Sequence, residues 1–499
     1  MSGGDVVELS QATLGTLPPS VARPGYDRQD VRIGVVHVGV GGFHRAHQAM
    51  YLDRLMNAGT ALDWGVCGVG ALPSDRRMAD AMRRQDGLYT LVVKHADGGL
   101  EPRVIGSMVD YLLAPDDPGA VVERMADPAT RIVSMTITEG GYNIHPVTGE
   151  FVADDPGVRH DLEAPGAPRT VFGLVTEALV RRRERGLAPF TVMSCDNVQG
   201  NGDVARRSFA AFAALRDPGL GSWVEERVLF PNSMVDRITP VTTEQDREHL
   251  AKEFGVGDAW PVVCEPFTQW VVEDRFESRP PLEDAGVQMV HDVEPYELMK
   301  LRLLNASHQA LCYFAHLAGY RLVHEAAGDP LFARFLLAYM DDEATPTLEP
   351  VPGIDLPAYK HQLVERFSNG AVRDTVARLC ADSSDRIPKW VLPVARHHLE
   401  HGGPVELAAA VVASWARYAE GVDEAGRPIE VVDRFAERLT AAARRYPDDE
   451  LAFLRDRELF GDLAEQSRFT DAYASTLRSL HEQGARATLE KLVGAHSPG

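Results

Sequence analysis

Short apolar runs alternate with helical patterns through the first half of the chain. Four runs have the length and apolar content of buried strands and end near turn residues. These runs span 32–38, 64–69, 131–137 and 190–195. Amphipathic helical patterns lie between several of them, for example at 170–184 and 204–215. Strands that alternate with helices predict a parallel sheet of the α/β class, covered by helices.

The pattern changes near Pro295, where strand-like runs fade and amphipathic helical patterns take over. The main helical patterns span 332–340, 359–367, 371–380 and 404–420. We therefore predict an α/β domain over 1–290 and a mostly α-helical domain over 291–499. The last four residues, 496–499, are expected to be frayed.

One predicted helix, from about Val293 to Gly319, carries polar residues among apolar ones. At 100° per residue, Lys300 and Asn305 lie roughly 140° apart with His308 between them. Glu297 precedes Lys300 by three residues and falls on the same side. Polar groups on a core-facing side need partners, and a polar substrate is one such partner. An ordinary core with a lysine whose amine reaches solvent fits the same pattern.

Composition narrows the classes of protein and partner. A formal net charge of −22 argues against nucleic acid or an anionic membrane as partner and favours a cytoplasmic protein. The five cysteines are scattered singly, which favours reduced thiols and suggests no zinc site. No metal is expected. We predict no signal peptide in residues 1–18 and no apolar run of membrane-spanning length.

A glycine-rich turn follows the first predicted strand and opens a helix. In Val38-Gly39-Val40-Gly41-Gly42-Phe43-His44, glycines let the backbone approach a pyrophosphate. The third glycine of the usual fingerprint is replaced by His44. A strand, a glycine turn and a helix also occur without a nucleotide. We predict a Rossmann-like site with Gly39, Gly41, Gly42 and Phe43 beside the cofactor.

Asp75 lies just past the second predicted strand, where an acidic residue would bind a ribose 2′-hydroxyl. A carboxylate there favours NAD, because it repels the 2′-phosphate of NADP. Arg76 and Arg77 could pair with that phosphate, so NADP is the weaker alternative. A structural role for Asp75 at a helix start is the competing interpretation.

The glycine turn and the Lys300, Asn305 and His308 array resemble the polyol-specific long-chain dehydrogenases. The likeness extends over nearly the whole chain. It includes Ile137-Thr138-Glu139-Gly140-Gly141-Tyr142, Ser194-Cys195-Asp196-Asn197, Cys264-Glu265-Pro266-Phe267 and the run from Pro231 to Pro240. The resemblance implies a metal-free enzyme with a Rossmann-like N-terminal domain and a helical C-terminal domain. Its partners would be small polyols or ketoses, with the chain a monomer or a weak homo-oligomer.

The resemblance also implies roles for individual residues. Lys300 would be the catalytic base, and Asn197 and Asn305 would donate hydrogen bonds to the substrate oxygen. Asp236, His308, Arg378 and Arg386 would contact the polyol. Arg386 departs from the family, in which lysine is common at this position, so the charge is kept but the shape changes.

Oxidation of a secondary alcohol without a metal needs a side chain to accept the hydroxyl proton. A lysine does this near neutral pH if burial or a nearby positive charge lowers its pKa. The apolar surroundings of Lys300 would supply the first effect, and Arg378 or Arg386 the second. Two roles stay open for Glu297, a proton relay to solvent or a salt bridge to Lys300. A turn or helix-capping role competes with substrate binding for Asn197.

The leading functional hypothesis is NAD-dependent oxidation of D-mannitol to D-fructose, and the reverse. One alternative is a fructuronate reductase that acts on mannonate, in which arginines would bind the carboxylate. Another is a dehydrogenase of a different polyol, such as arabinitol. A nucleotide-sensing protein without catalysis is a third, but a sensor has no need of a base.

Overall fold

The structure, a computed structural model, describes residues 6–145 and 149–495. Residues 496–499, expected to be frayed, lie outside this range. The chain divides into two compact units, Met1–Glu294 and Pro295–Gly499. No helix within the described ranges is both long and apolar enough to cross a membrane.

The strands lie in the N-terminal unit. Numbered in chain order, they are β1 (Val7–Glu8), β2 (Ile33–Val38), β3 (Gly65–Gly70), β4 (Tyr89–Lys94), β5 (Leu100–Ile105), β6 (Met108–Leu113), β7 (Ile132–Met135), β8 (Thr191–Ser194), β9 (Ser233–Asp236), β10 (Val256–Gly257), β11 (Val262–Cys264), β12 (Gln269–Glu273) and β13 (Gln288–Val290).

Five of these strands form a parallel sheet in the order β6-β3-β2-β7-β8. This is the strand order of a Rossmann fold. From β2 the chain first adds strands on one side of the sheet, and from β7 onward it adds them on the other side. Ligands bind outside the carboxyl ends of the strands at such a point of reversal. The Rossmann-like α/β prediction for the N-terminal part is confirmed. Smaller sheets join β11-β4-β5, β13-β12-β9 and β1-β10.

Helices cover both faces of the five-stranded sheet. The helices of the N-terminal unit, in chain order, are α1 (Gly42–Ala46), α2 (Gln48–Asn57), α3 (Arg76–Arg84), α4 (Pro118–Ala126), α5 (Pro156–Glu163), α6 (Val171–Glu184), α7 (Asn201–Arg216), α8 (Pro218–Arg227) and α9 (Glu244–Phe254). Side chains of β2 alternate between two cores. Val36 and Val38 pack with residues of α4, α6 and α7, whereas Val35 packs with residues of α2 and α3.

An aspartate followed by proline begins several helices, among them α4, α8 and α13 (Pro330–Ala338). The aspartate side chain accepts a hydrogen bond from a backbone N–H in the first turn; for example, Asp117 Oδ1 accepts the Ala120 N–H at 2.9 Å. Proline at the first helical position has no N–H to leave unsatisfied. These starts are encoded locally by the sequence.

The C-terminal unit is helix-rich, which confirms the prediction for the second half. Besides α13, its helices are α10 (Glu294–Met299, beginning at the unit boundary), α11 (Ala306–Leu317), α12 (Val323–Ala327), α14 (Leu356–Phe367), α15 (Val376–Cys380), α16 (Ser383–Trp390), α17 (Leu392–His401), α18 (Glu406–Ala419), α19 (Ala436–Ala443), α20 (Arg457–Phe460) and α21 (Ser467–Ala495). Helix α11 is buried along most of its length and packs against α15 and α18.

The predicted continuous α-helix from 293 to about 318 is wrong in its middle. Residues Lys300–Asn305 form a π-helix between α10 and α11. A second π-helix, Tyr339–Ala344, follows α13. A π-helix has hydrogen bonds from residue i to i+5, and π segments are frequent at functional sites.

The predicted helix at 371–380 begins too early, because residues 371–375 are not helical. Arg373 has a φ of +52°, in the left-handed region. The Asp374 carbonyl accepts the Val323 N–H at 2.9 Å. Thr375 then caps α15, accepting the Arg378 N–H at 3.3 Å. Tertiary contacts therefore override the local helical pattern.

Candidate active site

The turn after β2 requires glycine at position 39. Gly39 has a φ of +86°, and a Cβ there would overlap the Thr136 carbonyl oxygen. Its N–H donates to the Val69 carbonyl at 2.9 Å. Its carbonyl accepts the Thr136 hydroxyl at 2.7 Å. Groups from β3 and from the segment after β7 therefore fix the turn on both sides.

The other side of the same turn is open. A Cβ at Gly41 would meet only the Gly39 carbonyl, at 3.9 Å. Gly42 begins α1, where a Cβ would make ordinary contacts of 3.6 Å with Thr239 and 3.7 Å with Val262. The backbone is thus accessible to a pyrophosphate, and the residues of this turn fit a dinucleotide.

Two aromatic residues of α1 pack inward. The Phe43 ring stacks on His47, with centroids 4.9 Å apart. His44 occupies the third glycine position of the fingerprint and is fully buried, stacked on His37 of β2. The sequence shows that His44 replaces this glycine, and the structure shows that the histidine ring packs on His37.

Asp75 ends a short 3₁₀ turn just beyond β3 and is half-buried. Its carboxylate accepts the Leu72 N–H at 2.9 Å, which closes the turn. The location agrees with a ribose contact, and the hydrogen bond supports the structural alternative. One carboxylate can do both, because its two oxygens accept several hydrogen bonds.

The arginines beside Asp75 have other partners. Arg76 forms a two-pronged ion pair with Asp116. The Arg77 guanidinium lies over the Trp260 ring at 5.3 Å. Binding of a 2′-phosphate would compete with these contacts, which favours NAD.

Asp196, for which the sequence predicted no role, organises the ends of β7 and β8. Its buried carboxylate accepts the N–H groups of Ile137 at 3.0 Å and Thr138 at 2.8 Å, and the Tyr142 hydroxyl at 2.6 Å. Burial raises the pKa of Asp196, although these hydrogen bonds partly offset that rise. Asn197 follows directly and is exposed. The network therefore fixes the backbone next to Asn197.

Asp236 is the last residue of β9, buried, and opposite Gln269 of β12 in the antiparallel ladder. Its neighbour Arg237 donates to the Glu265 carbonyl at 2.9 and 3.1 Å and to the Ala46 carbonyl at 2.7 Å. This clamp holds the strand end that carries Asp236.

In the C-terminal unit, the π-helix carries both Lys300, at its start, and Asn305, at its end. Lys300 is 9% exposed and Asn305 is 5% exposed. With hydrogen bonds from i to i+5, these two residues fall nearly one turn apart on the same side. The 140° separation expected for an α-helix is therefore wrong. Glu297, also buried, lies on the preceding helix α10.

The Asn305 amide has an unusual hydrogen-bonding state. Its Nδ2 is buried and has no hydrogen-bond partner within the described part of the chain. Buried polar atoms are nearly always hydrogen-bonded, so an orphan of this kind calls for an explanation. One explanation is that Asn305 Nδ2 donates its hydrogen bond to a polar ligand.

His308, Asp374 and Arg378 form a second group of polar residues. The His308 ring lies 4.4 Å from that of Phe367. Arg378 Nε donates to Asp374 Oδ1 at 2.7 Å, and a second guanidinium nitrogen contacts the other oxygen. Burial raises the pKa of Asp374, but Arg378 and His308 lower it by a larger amount, so the pKa lies below its usual value. Asp374, for which no sequence pattern predicted a role, links two predicted site residues, His308 and Arg378.

Arg386 supports this group from α16. It donates to the carbonyls of Arg378 at 3.1 Å and Leu379 at 3.0 Å, at the end of α15. A cation is favourable at a helix C-terminus. No group of three or more histidine, cysteine or acidic residues that could hold a metal is found among residues 6–145 and 149–495.

The sheet order, the glycine turn and the buried lysine define the class of the protein, a Rossmann-type oxidoreductase that depends on a dinucleotide. Residues 33–284 match the mannitol dehydrogenase Rossmann domain, and residues 292–481 match the mannitol dehydrogenase C-terminal domain. The chain belongs to the mannitol dehydrogenase family.

Relatives match over nearly the full length. A mannitol 2-dehydrogenase of Phaeosphaeria nodorum is 46% identical over 97% of this chain and 85% of its own. One from Aspergillus fumigatus is 45% identical over 94% of this chain and 95% of its own. Among solved structures, the Pseudomonas fluorescens mannitol 2-dehydrogenase in complex with NAD and D-mannitol is 47% identical. It covers 98% of this chain and 100% of its own, with a TM-score of 0.88. A D-sorbitol dehydrogenase structure is 40% identical over 96% of this chain and 100% of its own, with a TM-score of 0.90.

Proposed function

We propose that this protein is an NAD-dependent mannitol 2-dehydrogenase that converts D-mannitol and NAD to D-fructose and NADH. The observation that carries the proposal is the full-length match to an enzyme solved with NAD and D-mannitol. The Rossmann strand order and the open glycine turn agree with it.

In the proposed reaction, NAD accepts a hydride from C2 of mannitol. The C2 hydroxyl must lose its proton as the hydride leaves, and we assign Lys300 as the acceptor. Lys300 is only 9% exposed, and burial in general disfavours a charged amine, which is what a lysine acting as a base near neutral pH requires. The π-helix fixes where the amine is presented.

Negative charge builds on the substrate oxygen as the proton leaves. We assign Asn305 and Asn197 as hydrogen-bond donors to this oxygen. The unpartnered Asn305 Nδ2 supports the assignment, because the donor is buried and free of competing acceptors among the described residues. Each such donor contributes about 2.7–4 kcal/mol to the transition state in comparable sites.

The remaining hydroxyl groups of the polyol need donors and acceptors. We assign Asp236, His308, Arg378 and Arg386 to this task. Asp374 keeps Arg378 in a fixed orientation, and Arg386 holds the backbone of Arg378. Arg386 therefore also acts as a positioning residue. A lysine there would present a point-like ammonium in place of the planar guanidinium.

Glu297 is proposed as a proton relay from Lys300 to solvent, with a salt bridge to Lys300 as the alternative. Glu297→Gln separates the two roles. A relay predicts a slower kcat whose pH profile changes shape. A salt bridge predicts a lower thermal midpoint and a pH profile that moves to lower pH without changing shape, because a neighbouring carboxylate favours the charged form of an amine.

D-Sorbitol is the second candidate substrate, because a D-sorbitol dehydrogenase shares the fold at 40% identity. Sorbitol and mannitol are epimers at C2, so oxidation at C2 yields D-fructose from both. The pocket must then discriminate by the orientation of one hydroxyl.

NADH absorbance with a panel of substrates tests the proposed function. The panel contains D-mannitol, D-sorbitol, D-arabinitol and D-mannonate, each with NAD and with NADP. We expect the highest kcat/KM with D-mannitol and NAD. Highest activity with sorbitol or arabinitol would reassign the substrate, and activity confined to mannonate would indicate a fructuronate reductase. No turnover of any substrate, with NADH bound, would indicate a sensor.

Two further proposals concern the state of the protein. We propose a monomer or a weak homo-oligomer, which sedimentation velocity across a concentration series tests. We also propose a cytoplasmic location. The five cysteines, all free and buried, agree with a reducing compartment. Cell fractionation with a tagged full-length chain tests this location.

A further inference from the structure

A chain of buried hydrogen bonds lies directly beneath the glycine turn. His37, the penultimate residue of β2, is completely buried. Its Nδ1 lies 2.8 Å from the Ser134 hydroxyl and its Nε2 lies 3.0 Å from the Thr136 hydroxyl. The Thr136 hydroxyl donates in turn to the Gly39 carbonyl at 2.7 Å. The chain therefore runs from β7 through β2 to the cofactor turn.

The direction of every bond in this chain can be assigned. Thr136 uses its one hydroxyl proton on Gly39, so it must accept a hydrogen bond from His37 Nε2. His37 Nε2 then carries the ring proton. Its Nδ1 is the acceptor and receives the Ser134 proton. Because the three hydrogen bonds all run in the same direction, from Ser134 to Gly39, each bond polarises and strengthens the next.

This arrangement requires a neutral imidazole. Burial lowers the pKa of His37 to about 3, so the ring is uncharged at neutral pH. A charged ring would donate at both nitrogens and would reverse the Ser134 bond. Burial therefore keeps the chain in one direction.

His44 completes the unit from above. Its ring stacks on His37 with centroids 3.4 Å apart and planes 11° from parallel. In the usual fingerprint, the third glycine allows the helix to pack closely on the strand. Here a flat histidine pair fills the same interface.

We infer that His37 and Thr136 are positioning residues that set the Gly39 carbonyl, and so the glycine turn, in the geometry that binds the dinucleotide. The inference rests on the proposed function, because it takes the turn to be the NAD site. His44 locks the His37 ring in the required plane. His37 and Thr136 lie beneath the turn and are not assigned to the reacting atoms, so substitutions there should change cofactor affinity.

Substitutions at Thr136 test the inference. Thr136→Val removes the hydroxyl and keeps the shape, whereas Thr136→Ser keeps the hydroxyl. Thr191→Val is the matched control, because Thr191 is a buried threonine of the adjacent strand β8 whose hydroxyl has no partner in the described chain. The readouts are the Kd of NADH from fluorescence titration, the thermal midpoint of the protein alone, and kcat at saturating NAD and mannitol.

We expect Thr136→Val to raise the Kd of NADH about tenfold, the effect of roughly one lost hydrogen bond. Its kcat at saturation should fall by less than twofold. Thr136→Ser should bind NADH within about twofold of the wild type, since one hydroxyl replaces another. Thr191→Val should leave the Kd unchanged. Wild-type affinity in Thr136→Val, or equal losses in the valine and serine variants, would overturn the inference.

Two further measurements keep the result decisive. If Thr136→Val does not fold, Ser134→Ala breaks the chain at its far end and should raise the Kd of NADH about threefold, a fraction of one hydrogen bond. Unchanged affinity in Ser134→Ala would then overturn the inference. A wild-type protein that fails to bind NADH at all would instead overturn the proposed function.

Discussion

The glycine turn of the N-terminal unit and the π-helix of the C-terminal unit both present buried polar groups, but they satisfy them differently. At the turn, Gly39 has both backbone groups bonded, to Val69 and to Thr136. In the π-helix, the Asn305 amide nitrogen has no partner among the described residues. The turn is complete without a ligand and offers a fixed surface. In the proposed function, this unpartnered donor of the π-helix binds the substrate oxygen.

Substitution of Lys300 should have the largest effect. Lys300→Ala should lower kcat by about 10²–10⁴-fold, because it removes the general base. The Kd of NADH should change by less than about threefold, because the glycine turn is intact. Stopped-flow kinetics and fluorescence titration measure the two quantities.

The control for Lys300 is Lys360, a second buried lysine of the C-terminal unit that pairs with Asp341. Lys360→Ala should lower the thermal midpoint and leave kcat near that of the wild type. If Lys300→Ala retained more than a few per cent of kcat, the assignment of the base would be wrong.

Asn305→Ala should come next. It should lower kcat by about 10²–10³-fold, since it removes an oxyanion donor. Its thermal midpoint should change little, because no internal hydrogen bond of Nδ2 is lost. Differential scanning calorimetry measures the midpoint.

Asn201 provides the opposite case. Its side chain bonds the Asp196 carbonyl at 3.0 Å and both backbone groups of Ser233, at 2.7 and 2.9 Å. Asn201→Ala should cost about 1–3 kcal/mol in the free energy of unfolding. An Asn305→Ala variant as destabilised as Asn201→Ala would show that Asn305 is structural.

Asp75→Ala should have a smaller effect, on the cofactor alone. The Kd of NAD should rise about tenfold, the effect of one lost charge-assisted hydrogen bond. The preference for NAD over NADP should narrow, because a repulsive carboxylate is gone. Asp80→Ala, one turn further along α3, is the control. Unchanged binding of both cofactors in Asp75→Ala would exclude the ribose contact.

The second π-helix contains a buried carboxyl group whose oxygens, unlike the Asn305 amide nitrogen, are hydrogen-bonded. Glu343 is buried there, and its carboxyl oxygens accept the N–H groups of Leu407 at 2.6 Å and Ala408 at 2.8 Å. Burial raises the pKa of Glu343 from 4.5 to about 8. The folded protein therefore holds this proton between about pH 4.5 and 8, where the unfolded chain has released it. This term lowers the free energy of unfolding as pH rises through that window.

Glu343→Gln should remove this pH dependence. The difference in free energy of unfolding between variant and wild type should shift in favour of the variant from pH 5 to pH 8. The shift should be on the order of a few kcal/mol. Urea titrations at the two pH values measure it. A difference that is the same at both pH values would mean that Glu343 does not titrate in this range.

Local signals explain what the sequence predicted well. The strands β2, β3, β7 and β8 are apolar runs with turn residues near their ends, and the glycine turn follows the first of them. The helix α6 was predicted over 170–184 and observed over Val171–Glu184. These features depend on neighbouring residues only. The order of the strands was not predicted, because it depends on how distant segments pair.

The π-helix illustrates what periodicity cannot reveal. Apolar residues around Lys300 fit the 3.6-residue period of an α-helix. A π-helix has roughly one more residue per turn, and over a segment this short the difference hardly changes the apolar pattern. The change nevertheless moves Asn305 onto the side of Lys300. Asp374 was missed for a related reason, since its contacts arise where a chain segment departs from the helix that its sequence favours. Helix and turn patterns indicated the polar helix side around Lys300, the glycine turn and Asp75, whereas Asn197, Asp236, Arg378 and Arg386 came only from the family resemblance. The roles of all these residues are proposals.

Analysis of the product tests the central claim most directly. Purified protein is incubated with D-mannitol and NAD, and the ketose or aldose formed is identified by chromatography. The molar amount of this sugar is then compared with the molar amount of NADH. The account predicts D-fructose and NADH in equal amounts, because the hydride leaves C2. D-Mannose as the product, which would place the reaction at C1, or no NADH at all, would contradict it.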